Sequence, residues 1–86
     1  MHAMPPRDYL LTFELSKDGD ELAIHLDQHG LDVLLAALNR LHNRGSSSPN
    51  DMHLMSNMWG GDKLSGEAQS PDSTLLHKVD LRLWKK

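Results

Sequence analysis

The chain contains no cysteine, which excludes a disulfide staple, a thiolate metal site and a cysteine nucleophile, and gives no sign of an oxidising compartment. Residues 1–7 hold no apolar run of the kind a signal peptide needs, and no stretch approaches the roughly 20 apolar residues of a membrane span. The expectation is a cytoplasmic protein. A basic face is also missing. Residues 1–72 carry eleven acids and five bases, whereas residues 73–86 carry one acid and four bases. Phosphate-backbone binding needs clustered Lys and Arg, so neither nucleic acid nor a membrane is expected as a partner.

Sites for chemistry are equally thin. The histidines, His2, His25, His29, His42, His53 and His77, show no His-Glu-x-x-His spacing and no i, i+2 pair on one strand, so no metal site is expected. The carboxylates are scattered. The serines cluster in loops without a glycine elbow, and no Gly-rich segment between a strand and a helix offers a phosphate cradle. The sequence therefore argues against an enzyme and implies no cofactor.

What is present is a pattern of short elements. Tyr9, Leu11, Phe13 and Leu15 alternate with polar positions, and Leu22, Ile24 and Leu26 repeat the alternation, as half-buried strands should. Asp18-Gly19 between them predicts a two-residue type I′ hairpin. Counted from that turn, Leu15 pairs with Leu22, Phe13 with Ile24 and Leu11 with Leu26, so turn and hydrophobic pattern agree on one register. Thr12, Glu14, Ala23 and His25 then share the outer face.

Leu31, Leu34, Leu35, Leu38 and Leu41 follow helical spacing. Asp27 is placed as the N-cap, and Gly45 as the stop. Residues 45–51 read as a loop, Met52 to Ser56 as a short strand, and Leu75 to Trp84 as one long strand with Leu75, His77, Val79, Leu81 and Leu83 inward. The predicted fold is α+β, strand-strand-helix-strand-strand: a four-stranded, mainly antiparallel sheet in the order 2-1-4-3, with one helix packed on the Leu11/Phe13/Ile24/Leu81 face. Residues 1–8 are expected to form a disordered tail. Residues 9–86 make a single domain with a long loop over 57–74, a length at which loops are usually functional or disordered.

That loop contains the segment whose composition resists a bland reading. Trp59 lies close to Met52, Met55 and Met58, which are either filler for an irregular core or an adaptable contact surface. The run His53-Leu54-Met55, then Trp59-Gly60-Gly61, then Leu64-Ser65, preceded by Asp51 and followed by a closing strand ending in Leu-x-Leu-Trp, resembles the signature of the immunity protein 32 family of bacterial polymorphic toxin systems. The upstream hairpin and Leu-rich helix resemble that family's first half, so the similarity spans nearly all of the chain after about residue 8. The chain departs from the pattern in the linker from Gly66 to Ser73 and at Lys85-Lys86.

The resemblance implies a toxin-neutralising protein that binds a cognate toxin domain in the cytoplasm. Such toxins are often nucleases with basic clefts, to which an acidic inhibitor is electrostatically suited. Partner contact is then expected at Asp51, Asn57, Trp59, Asp62, Lys63 and Glu67, with the Trp59 ring either filling the core or facing the partner. The alternative is a structural or regulatory module that self-associates as a homodimer through an exposed strand edge.

Overall fold

In the computed structural model, which describes residues 9–44 and 51–84, five strands and one long helix follow one another along the chain. They are β1 (Leu11–Leu15), β2 (Leu22–Leu26), α1 (Gln28–Arg44), β3 (Asp51–Met55), β4 (Thr74–Leu75) and β5 (Lys78–Arg82), with a 3₁₀ turn at Asn57–Trp59. The expected tail at 1–8 and the helix stop at Gly45 lie outside the described residues.

The fold is α+β and its strand pairs are antiparallel, but the expected single four-stranded sheet is replaced by two: β2-β1-β4 and β3-β5. The division arises where one long strand was predicted. That segment breaks at Leu76-His77, and its halves pair with different partners: Leu75 lies opposite Glu14, and Lys78 lies opposite Met55. The break also shifts the inward phase. Leu76, not Leu75, packs against the core, together with Val79 and Leu81.

The β1–β2 register is the predicted one, Leu11 with Leu26, Phe13 with Ile24 and Leu15 with Leu22. The turn is different. Ser16 N–H donates to Glu21 O (2.8 Å) and Gly19 N–H to Ser16 O (2.9 Å), so four residues, Lys17 to Asp20, make the connection. Of Asp18 and Gly19 only Gly19 has positive φ, at 77°, which excludes a type I′ turn because that needs both. Two-residue and four-residue loops leave the same pairs facing one another, so the register is unaffected by the difference.

Asp27 caps α1 as expected: its Oδ1 accepts from Gly30 N–H at 2.7 Å and its carbonyl from Leu31 N–H at 2.8 Å. The Gly30 hydrogen bond first, and with it one that Leu10 N–H donates to Oδ2 (3.1 Å), hold the Asp27 carboxyl below its ordinary value. The helix covers a core of Tyr9, Leu11, Phe13, Ala37, Leu54 and Leu64, with Leu26, Val33, Leu34 and Met52 packed around it.

Candidate binding surface

The Trp-Gly-Gly segment is a ledge at the end of the β3–β5 sheet. After β3, Ser56 is fully buried; its N–H donates to His77 O (2.8 Å), and its carbonyl accepts from Trp59 N–H (3.0 Å) and Gly61 N–H (2.9 Å). Gly60 adopts the left-handed conformation with φ 83°, and a Cβ on Gly61 would collide with the backbone of Met55. The two glycines thus turn the chain back hard against β3, where Met55 O receives Lys63 N–H (3.2 Å) and Leu64 N–H (3.1 Å).

Leu54 and Leu64, both buried, anchor the two sides of this turn in the core. Ser65 ties its end to β1: the hydroxyl donates to Tyr9 O and accepts from Leu11 N–H, both at 2.9 Å. The Tyr9 hydroxyl donates to Lys63 O at 2.7 Å, with Asp62 O at 3.2 Å. Burial, and then the Asp62 charge, push that phenol above its ordinary pKa. Leu54, Gly60, Gly61, Leu64 and Ser65 are therefore accounted for by architecture.

Trp59 is not. Its ring is 57% exposed and Met58 is 70% exposed, so the core-filling reading of Trp59 is overturned. The 3₁₀ turn Asn57–Trp59 that holds it buries none of its residues. The ring stacks instead on His77, with centroids 5.7 Å apart and planes 17° from parallel, while Ser56 Oγ lies 2.8 Å from His77 Nδ1 and fixes the imidazole. Beside the ledge an open groove of about 570 Å³ is lined by Asn57, Met58, Asp27, Glu67 and Gln69 among others, with two carboxylates and, among the described residues, no cation.

Of the expected contact residues, the structure gathers Asn57, Trp59, Asp62 and Glu67 on or beside the ledge. Lys63 reaches Asp62 at 3.6 Å, yet it also lines a separate cleft with Arg40, Met52 and His53. Asp51 is not brought to the ledge. It begins β3, about 13 Å from Met55 at the rise of a strand, and there joins a charged row on the outer face of β3 and β5. In that row His53 Nδ1 lies 2.6 Å from Asp80 Oδ1 and His53 Nε2 lies 3.5 Å from Asp51 Oδ2. The His53 hydrogen bond, above the opposing desolvation, holds Asp80 below its ordinary pKa. Met55 ends the same strand, half-buried.

Sequence reasoning missed two groups. The alternation puts His77 among the inward strand residues, and no local signal shows that it sits under Trp59. The alternation puts Glu14 on the outer face, yet it is buried beneath the 66–73 loop. Its carboxylate accepts from Thr12 Oγ1 (2.6 Å), Gln69 N–H (2.9 Å), Ser70 N–H (2.9 Å) and Ser73 Oγ (2.8 Å). Burial alone raises its pKa; those hydrogen bonds outweigh burial and lower it to about 2. His25 Nε2 stands 4.0 Å from the same carboxylate and 3.2 Å from Ser70 Oγ.

Among the described residues no group of three or more His, Asp or Glu side chains is placed to hold a metal ion, and no helix is long and apolar enough to cross a membrane. Comparison with known proteins finds no matching family model, no matching curated protein and no matching solved structure.

Proposed function

We propose that this chain is a protein-binding module without catalysis of its own, which neutralises a basic toxin domain in the cytoplasm by presenting the Met58-Trp59 ledge to it. The observation that carries the reading is the exposed Trp59, stacked on His77. A large aromatic held still at the surface loses little entropy on association, and Trp is enriched among residues that dominate interface energetics. The carboxylates of Asp27 and Glu67 beside it, with Asp62 at its rim, favour a cationic partner. The toxin identity rests on the resemblance of the His53–Ser65 run to the immunity protein 32 family.

Co-expression with the toxic domain encoded beside it should rescue growth. Trp59→Ala should weaken the complex by about 2 kcal/mol or more. Charge reversal at Asp62 and Glu67 should weaken it more at low salt than at high salt. A second reading is self-association, favoured by the edge of β2 in the β2-β1-β4 sheet, which is free among the described residues. Absence of binding to any neighbouring product, with a stable dimer at low micromolar concentration, would put that reading first.

A further inference from the structure

The helix is wider in leucine than the sheet beneath it. Val33, Ala36 and Arg40 line the flank of α1 that faces Met52, His53 and Leu54 of β3. The opposite flank, Leu31, Leu35 and Leu38 at helical spacing, therefore lies toward β2. There the cover is incomplete: Leu35 is 47% and Leu38 43% exposed, and on the inward face of β2 Leu22 is 50% and Ile24 45% exposed. These four side chains belong to one apolar layer, and among the described residues no strand lies beyond β2 to complete it.

The backbone of β2 is open at the same place. Asp27 N–H donates to Leu10 O and Ser16 N–H to Glu21 O, which sets the phase of the antiparallel ladder: Ala23 and His25 bond to β1. Leu22, Ile24 and Leu26 accordingly turn their N–H and C=O groups to the free edge. Among the described residues nothing pairs with that edge, since β2 ends its sheet. Ladder donors and acceptors thus coincide along β2 with exposed apolar side chains.

Charge decides between occupants. Asp18, Asp20 and Glu21 stand at one end of β2, and Asp27 and Asp32 at the other, with Lys17 the one Lys or Arg among residues 17–32. A second copy in the fully overlapped antiparallel register, centred on Ile24, would set Glu21 of each chain against Asp27 of the other, and like charges directly opposed are unfavourable. A strand with cations at both ends meets carboxylates at both ends. We infer that the free edge of β2 takes one extended, cation-flanked segment of a partner protein, which adds a strand to the β2-β1-β4 sheet and fills the space under Leu35 and Leu38. The inference rests on the protein-binding reading and assigns it a second contact. The two surfaces adjoin, because the groove beside Met58 begins at Asp27, where β2 ends.

The test uses a capped heptapeptide of alternating valine and threonine with lysine at both ends, titrated into the full chain and followed by amide chemical shifts and hydrogen exchange. Shifts and new protection should centre on Leu22, Ile24 and Leu26. The same peptide ended in glutamate should bind at least roughly tenfold more weakly, and salt should narrow that difference. Ile24→Lys and Leu38→Lys, both at exposed positions, should each lower affinity for the lysine peptide at least roughly tenfold while the protein still melts cooperatively. Absence of binding up to millimolar peptide, indifference to the end charges, or shifts centred on Trp59 would overturn the inference. So would a dimer of the free protein that Ile24→Lys dissolves, because a second copy would then be the occupant. Toxin rescue that survives Ile24→Lys but fails in Trp59→Ala would remove the strand site and leave the protein-binding reading in place.

Discussion

β1 and β2 carry the same alternation of apolar and polar residues and pair residue for residue, yet they end in different environments. Leu11 and Phe13 of β1 are buried, and so are Thr12 and Glu14 on its other face; their partners on β2 are half-buried or exposed. The pattern in a strand states which residues face one way. It does not state how many layers cover it. β1 is central in its sheet, lies under α1 on one face and under the 66–73 loop on the other, whereas β2 is an edge beneath the rim of the helix.

The sharpest way to break that comparison is to truncate both members of one cross-strand pair. Phe13→Ala should cost roughly 3 to 5 kcal/mol, because a cavity opens in a filled core. Ile24→Ala, directly opposite, should cost less than about 1.5 kcal/mol, since the side chain is already in partial contact with water. Urea denaturation of the two variants measures the difference. Equal losses would mean that β2 is covered in solution, by a second copy or by a segment outside the described residues.

How much of this was legible follows from the same distinction. Register, helix face and N-cap depend on neighbours a few residues away, and the alternation of Leu11 to Leu15, the leucine stripe and Asp27 record them. The break at Leu76-His77 is silent, because two adjacent leucines, Leu75 and Leu76, satisfy either phase. Glu14 was illegible for another reason: its hydrogen-bond partners Gln69, Ser70 and Ser73 lie more than 50 residues away, and nothing local marks an alternating Glu as buried. Trp59 fell between these cases. Its glycines announce the sharp turn, but which way the ring leaves that turn depends on His77, which the break between β4 and β5 supplies.

A second test concerns the polar face of β1. Glu14→Gln keeps the shape but points amide hydrogens at a site that already holds the N–H groups of Gln69 and Ser70, so it should cost about 2 to 3 kcal/mol. Its pH signature is distinct. The folded pKa of Glu14, about 2, lies below the ordinary 4.5. The stability this carboxylate contributes is therefore complete above about pH 4.5 and declines as pH falls toward about 2. Acid titration of stability should fall more steeply for the native chain than for Glu14→Gln across that window, and backbone exchange at Gln69 and Ser70 should accelerate in parallel. Parallel acid curves would mean that the loop is held by something other than this carboxylate.

The smallest effect on stability is expected at Trp59, and there the contrast between buried and exposed apolar groups bears on function. With 57% of the residue open to solvent, Trp59→Ala removes one stacked face against His77 and little else, and should cost less than about 1.5 kcal/mol, within the range of a single aromatic contact. Leu54→Ala, buried a few residues earlier on β3, should cost about 2 to 5 kcal/mol. The two variants separate architecture from contact within one short run of sequence. Leu54→Ala should lower the melting temperature and weaken partner binding only in proportion to the folded fraction lost. Trp59→Ala should leave the melting temperature nearly unchanged and weaken binding directly, mainly through faster dissociation, because truncating an interface anchor alters the lifetime of a complex more than its rate of encounter. Fluorescence gives an internal check, since the emission of Trp59 should report a largely hydrated indole in the free protein and move to shorter wavelength in the complex, with Trp84 replaced by Phe to remove its signal. A blue-shifted indole in the free protein, or a melting temperature that falls as far for Trp59→Ala as for Leu54→Ala, would place the ring in the core and move the search for the contact surface to the free edge of β2.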